Sequence, residues 1–567
     1  MTDALLDIHD LSIRRAGRDS EARTLVTDVA LTVTRGRTLV LLGESGSGKS
    51  LTALSVMGLL PPGLEACRRS RLLFDGAALP VGDERAMRRL RGRRMAMIFQ
   101  DPMACLNPFM RVDAQIAEAL QRCGIAMPER RRRVGALLRE VELPDDAAFA
   151  RRYPHQLSGG QQQRVMIAMS LAGAPDLLIA DEPTSALDAT IQAGIVALLQ
   201  QLQAQRGMAM LFITHDLSVA AAIADDVAVM HGGRVVEQGP AGAVLGAPRQ
   251  VYTQRLVSAR AELGRSCSNK AVEQGQPLVA VEDLTVAYSA RGLFAPPFHA
   301  VRNVSLRLAR GRTLGLLGES GSGKSTLGAA IAGLRPGRSG DIKLFGASLA
   351  ARGWRVAPDS RRSVQIVFQN PAGALNPRLT VAGQLCEPLH LMGVPHHERL
   401  ARAAAGLEEV GLAAEHLARY PSQLSGGQRQ RVCIARALLC EPQVLICDEV
   451  VSALDMTIQV QVAALLKRLQ ARREFAMLFI GHDVDMVRWV SDEIAVMRHG
   501  EIVDRFATCD LSSPERHDAT KKLLASRLDS RVDGGLEPRH GDGAVVHTLV
   551  QPPTQHTVML GSAPRLR

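Results

Sequence analysis

Short, predominantly apolar runs recur along this chain and predict buried strands rather than half-buried ones. Thr38–Leu42 and Thr313–Leu317 are two such runs, and each leads through a glycine-rich stretch into a helix-like segment, Leu51–Leu60 or Thr326–Leu334. Ahead of them, Leu25–Val33 and Ala300–Leu308 read as β-like openings. A helix-rich middle follows, with helices predicted over Gln162–Leu171 and Arg429–Leu439. Strand–helix alternation then resumes through Leu177–Asp181, Leu211–Thr214 and Val227–Met230. Strands alternating with helices predict a mostly parallel α/β sheet.

The glycine-rich stretches are identical. GESGSGKS spans Gly43–Ser50 and again Gly318–Ser325. A strand, this loop and a helix make a phosphate cradle, because small residues let backbone N–H groups and the helix N-terminus point at an anion. Gly43, Ser45, Gly46 and Gly48 would wrap the phosphates in the first copy, and Gly318, Ser320, Gly321 and Gly323 in the second. Leu51 and Thr326 extend each cradle by one residue. Lys49 and Lys324 would reach the β- and γ-phosphates, while Ser50 and Ser325 would sit on Mg²⁺.

The repeat extends well beyond the loops. Lys49 to Lys324 is an offset of 275, Gln100 to Gln369 of 269, and Ser158 to Ser425 of 267. Glu182 to Glu449 and His215 to His482 keep that offset of 267, so the second copy lost eight residues between loop and serine. A period this long is a duplicated domain, not a solenoid unit.

Two further motifs narrow the chemistry. The apolar run Leu177–Ala180 delivers Asp181 and Glu182 at its end, and Val444–Cys447 delivers Asp448 and Glu449. A buried strand can bring Asp181 and Asp448 to a metal, and the neighbouring glutamate can polarise an attacking water. Ser158, Gly159, Gly160 and Gln161, and likewise Ser425, Gly426, Gly427 and Gln428, precede predicted helices. Serine and glycines at a helix start form a second anion-binding element. One nucleotide does not need two cradles on one subunit; two facing subunits do.

Composition restricts the partners. At 567 residues the chain exceeds a single core. No apolar run reaches the roughly 18 residues of a membrane span, and the start MTDALLDIHD does not resemble a signal peptide. The nine cysteines form no CxxC pair, against a zinc site or a disulfide framework. The net charge of +11 comes from arginine clusters such as Arg88–Arg94 and Arg130–Arg133 without interleaved aromatics. That pattern fits solvated helix faces or an anionic membrane surface better than nucleic acid.

With these motifs the chain resembles the ATP-binding-cassette ATPases over about Leu5–Gly239 and Leu278–Asp504. Both halves carry the phosphate loop, Gln100 or Gln369, LSGGQ, the DE pair, SALD (Ser185–Asp188; Ser452–Asp455) and His215 or His482. The resemblance implies two tandem P-loop domains, each with a mixed or parallel sheet core and a helical subdomain. It also implies head-to-tail pairing within the chain, with ATP between each phosphate loop and the other half's LSGGQ. Gln100 and Gln369 would contact metal and water and sense a transmembrane partner. Glu182, His215, Glu449 and His482 would be the catalytic set, with the histidines on the γ-phosphate.

FQDPMACLNP, FQNPAGALNP, RVMIAMSLA and IADEPTSALDATIQA are close to the wording of the dipeptide, oligopeptide and nickel importer family. That likeness implies two separate permease subunits, an extracytoplasmic solute-binding protein, and a peripheral place on the cytoplasmic face of the inner membrane. Met103–Met110 and Ala372–Leu379 fall where permease helices would dock. Three departures stand out: Val450 follows the second DE pair in place of Pro, Gly481 precedes His482 in place of Thr, and Arg15 occupies the adenine-stacking position that Tyr288 fills in the second half. A soluble twin-cassette factor acting on ribosomes or nucleic acid is the alternative. Such factors carry a long charged linker, whereas the joining stretch here is short and holds Gly and Pro. The expected organisation is a first cassette over 1–240, a reduced tail and linker over 241–276, a second cassette over 277–510, a terminal segment over 511–529 and a disordered tail over 530–567. No iron–sulfur cluster is expected.

Overall fold

Every position of the strand Thr38–Leu42 is buried, and its side chains serve two cores at once. Leu39 and Leu41 join one hydrophobic cluster, while Val40 and Leu42 join another on the opposite face. The same division holds at Leu177–Asp181, with Leu177 and Ile179 on one side and Leu178 and Ala180 on the other. Strands covered on both faces read as continuous apolar runs, which explains the sequence pattern.

The computed structural model describes residues 3–15, 24–185, 187–265, 277–288, 297–452 and 454–525. In the first half a six-stranded sheet runs in the order Arg234–Pro240, Asp226–His231, Thr38–Leu42, Ala209–Thr214, Leu177–Asp181, Met95–Ile98. All neighbours are parallel except the Arg234–Pro240 edge. A separate antiparallel sheet, built on Ala4–Arg15 and Thr24–Thr34, covers one face. Helices Val112–Arg122, Met127–Glu140 and Gly159–Ser170 pack together as the helical subdomain. The second half repeats this plan, with the core order Val364–Val367, Val444–Asp448, Ala476–Gly481, Thr313–Leu317, Glu493–Arg498, Glu501–Ala507. Its helical subdomain uses Val381–Leu391, His396–Glu409 and Gly426–Leu438.

The stretch expected as tail and linker is mostly helical where it is described. Ala241–Gly246 and Val251–Arg265 are both α-helices. In the longer one, Leu256 joins the first half's core and Leu263 the second half's. The segment after the second half contains the helix Asp518–Ala525. The tail expected over 530–567 lies outside the described residues. Among the described residues no helix is long and apolar enough to cross a membrane.

Candidate functional site

Each phosphate loop leaves the C-terminal end of a central strand and enters a helix at its lysine, Lys49–Val56 or Lys324–Ile331. Gly48 and Gly323 take φ of 102° and 104° at the turn into the helix. A Cβ on Gly323 would stand 2.2 Å from the Ala300 carbonyl oxygen, so only glycine fits. Lys49 Nζ donates to the carbonyls of Gly43 and Glu44 at 2.7 and 2.9 Å. Lys324 Nζ repeats this with Gly318 and Glu319, both at 2.8 Å. Burial lowers the pKa of both ammonium groups.

The carboxylates stand where the sequence puts them. Ser50 Oγ donates to Asp181 Oδ1, and Ser325 Oγ to Asp448 Oδ1, each at 2.9 Å. Burial pushes the Asp181 carboxyl up to about 6, against the Ser50 hydrogen bond, and raises Asp448 in the same way. One residue on, Glu182 and Glu449 hold φ of 45° and 47°, a left-handed conformation uncommon for glutamate. Each backbone N–H still continues the sheet, to the carbonyls of Ile213 and Ile480. The turn swings each glutamate away from its strand and towards glutamine and histidine.

Gln100 Nε2 donates to Glu182 Oε2 at 2.9 Å, and Gln369 Nε2 to Glu449 Oε2 at 2.8 Å. His215 Nδ1 lies 3.2 Å from Glu182 Oε1, and His482 Nδ1 3.6 Å from Glu449 Oε2. Burial opposes charge at Glu182, yet His215, Lys49 and Gln100 together hold its carboxyl below the ordinary value. The His482 contact does the same for Glu449. Both histidines are raised, their glutamates outweighing desolvation. Val450 and Gly481 leave this arrangement intact in the second half.

Ser158 and Ser425 start helices by reciprocal capping. Each serine Oγ accepts from the N–H of Gln161 or Gln428 at 3.3 Å, and each glutamine Oε1 accepts from its serine's N–H at 3.1 or 2.9 Å. A Cβ on Gly160 would stand 2.7 Å from Ile191 Cγ2, and one on Gly427 2.6 Å from Ile458 Cγ2. These glycines set the helix start directly against the helix that follows SALD. Tyr288 ends its strand with its hydroxyl 3.1 Å from Thr326 Oγ1 and Arg335 stacked over its ring. Arg15 ends the matching strand of the first half.

The halves meet through SALD. Ser45 N–H donates to Asp455 Oδ1 at 2.7 Å, and Ser320 N–H to Asp188 Oδ2 at 3.4 Å. The two phosphate loops are thus each touched by the other half, across a cleft lined by Glu182, His215, Arg260, Glu449 and His482. Asp188 and Asp455 share the 267 offset, a signal that could have marked them as site residues. Ser47 and Ser322 also escaped the sequence reading. Their hydroxyls are buried inside the loops without a hydrogen-bond partner. Orphaned donors beside a lysine, with a paired hydroxyl and carboxylate, fit a triphosphate and an oxygen-ligated Mg²⁺.

The sequence profile of the ABC transporter family matches residues 26–185 and 301–452. The peptidoglycan transport ATP-binding protein YejF of Agrobacterium fabrum is 42% identical over 536 residues, covering 93% of this chain and 97% of that protein. The glutathione import ATP-binding protein GsiA of Salmonella typhimurium is 41% identical over 538 residues, covering 88% and 86%. GsiA of Shigella flexneri is 41% identical over 546 residues, covering 90% and 87%.

Proposed function

The chain belongs to the ABC transporter family, and from that premise we propose that it is the ATP-hydrolysing subunit of an importer of peptides or related small solutes. One observation carries this reading: lysine, serine, aspartate, glutamate, glutamine and histidine recur in both halves with the same pairings. A non-catalytic regulator has no use for two complete sets.

In this reading the phosphate-loop N–H groups and Lys49 or Lys324 hold the β- and γ-phosphates. Ser50 with Asp181, and Ser325 with Asp448, hold Mg²⁺, with Gln100 and Gln369 at its edge. Bound there, the cation would neutralise charge developing on the β- and γ-oxygens. Glu182 and Glu449, ionised and aimed by glutamine and histidine, orient and polarise the attacking water. His215 and His482 turn their other ring nitrogen to the γ-phosphate. Tyr288 stacks on adenine in the second site, and Arg15 takes that position in the first. Ser158–Gln161 close the second site and Ser425–Gln428 the first. The reciprocal Asp455–Ser45 and Asp188–Ser320 contacts support that pairing, because they already join each loop to the opposite half.

The cassettes are assigned to 1–240 and 277–510. The printed functions of the relatives, peptidoglycan transport and glutathione import, support import of a peptide-like solute. The partners are then two permease subunits and an extracytoplasmic binding protein, with this chain peripheral on the cytoplasmic face of the inner membrane. Affinity purification from detergent-solubilised membranes tests the assignment. Recovery of two permeases with ATP hydrolysis supports it; recovery of ribosomes without permeases favours the soluble alternative.

A further inference from the structure

The helix Val251–Arg265 presents one stripe to both halves. Tyr252, Leu256, Arg260 and Leu263 follow at helical spacing, so they lie along a single face. At its start the Tyr252 hydroxyl accepts from the Glu44 N–H of the first phosphate loop at 3.2 Å, and the ring stacks on His231 at 4.1 Å. Tyr252, Leu256 and Val257 pack into the first half's core, whereas Ala259 and Leu263 pack into the second half's. The changeover falls between Val257 and Ala259, just before Arg260.

Arg260 is an arginine surrounded by the acids that follow both histidines. Its Nη2 donates to Asp485 Oδ2 at 2.7 Å, with side chains only 16% and 6% exposed. Burial works against its charge, and Asp483, Asp485 and Asp216 more than offset it. Asp216 directly follows His215 and caps the helix Leu217–Ile223. Asp483 directly follows His482 and caps Val484–Val490, accepting from the N–H groups of Asp485 and Met486. The guanidinium therefore grips the first turn of the helix whose N-cap, Asp483, directly follows His482.

We infer that Val251–Arg265 is a strap between the two ATP sites, and that Arg260 is a positioning residue that fixes His482 against Glu449. The inference rests on reading both halves as ATP sites. Mechanically, a helix that is anchored on one phosphate loop and rooted in the opposite core carries displacement of that loop to the second site's histidine. Tyr252 to Arg260 spans about 12 Å of helix, short enough to act as a rigid element. No loop of that length would transmit position.

The test is steady-state ATP hydrolysis by the full chain with its permeases, comparing Arg260→Ala, Arg260→Lys, Asp485→Asn and Glu182→Gln/Glu449→Gln with wild type. Arg260→Ala should lower kcat about tenfold and leave KM for ATP within about twofold, since it displaces a transition-state group and spares the cradle. Arg260→Lys should recover part of the loss, because a cation still faces Asp485. Asp485→Asn keeps the volume and should match Arg260→Ala in kcat, which settles the matter if the alanine variant does not fold. Wild-type kcat and KM in Arg260→Ala and Asp485→Asn, whatever their melting temperatures, would overturn the inference while an inactive double-glutamine protein upholds the ATP sites. Full turnover by the double-glutamine protein would overturn both.

Discussion

Replacing Glu182 and Glu449 with glutamine removes two charges and almost no volume. Glu182 has a side chain only 10% exposed, with Oε2 held by Gln100 at 2.9 Å, Oε1 3.2 Å from His215 Nδ1 and Lys49 Nζ at 3.9 Å. Glutamine can keep the Gln100 contact through its amide oxygen, but it cannot take a proton from water. Loss of a positioned general base costs about 10²–10⁴-fold, or roughly 2.7–5.5 kcal/mol of barrier. The lysines, serines and loop N–H groups remain, so ATP should still bind and the halves should stay closed on it. The pH response gives an independent signature. His215 is raised by Glu182, so its share of stability is full below the unfolded histidine value and lost as pH rises through the folded one. That share should shrink in the variant, because only the weaker pull of Asp216 and Asp455 still opposes burial. Stopped-flow phosphate release gives the rate, retention of fluorescent ATP gives binding, and melting temperature across pH gives the third quantity. Turnover within about threefold of wild type, with ATP bound, would refute the assignment of these carboxylates.

Other outcomes follow from the same geometry. Tyr288→Ala should weaken ATP at the second site by the ~1–3 kcal/mol of aromatic–base stacking, and Arg15→Ala should cost less at the first; equal losses, each measured with the opposite lysine replaced by alanine, would remove the asymmetry. Asp181, pushed up to about 6 by burial, must ionise to take a cation, so Mg²⁺ affinity should climb as pH rises through that value, with a proton released on binding. Its folded form holds the proton more tightly than the unfolded one, so metal-free protein should also lose stability over that rise; calorimetry in buffers of different ionisation heat checks the first and thermal melts the second. Phe109, 90% exposed beyond Gln100, should face a permease: Phe109→Asp should shift the chain out of the membrane pellet when permeases are coexpressed, and unchanged sedimentation would contradict that docking surface.

Most of the site was legible because its chemistry is local and written twice. The strand-to-loop-to-helix context placed Lys49 and Ser50 beside each other, and the run ending in Asp181 needed only the strand's register to reach Ser50. The sheet then brought His215 to Glu182, because Leu177–Asp181 and Ala209–Thr214 are neighbouring parallel strands. Pairing of the halves follows from the family resemblance, but the particular residues that join them were not legible. Ser45 and Asp455 are 410 residues apart, and nothing local about an aspartate after SAL says which N–H it will accept from. The helix Val251–Arg265 reads as tail and linker in the sequence because its apolar stripe is short and divided. Tyr252 and Leu256 belong to one core, Ala259 and Leu263 to another, so neither half's pattern claims the whole helix. The left-handed turn at Glu182 and Glu449 was also invisible, since glutamate carries no bias towards it.

The two ATP sites proposed for this chain should work only together. Hydrolysis rates of Lys49→Ala and Lys324→Ala, each assayed in the full chain with its permeases, test this most directly. Each phosphate loop is joined to the other half through Asp455 or Asp188, so emptying one site should disable both. Each single variant should fall below about a tenth of the wild-type rate. Two variants that each keep about half of it, summing to the whole, would show independent sites and contradict the account.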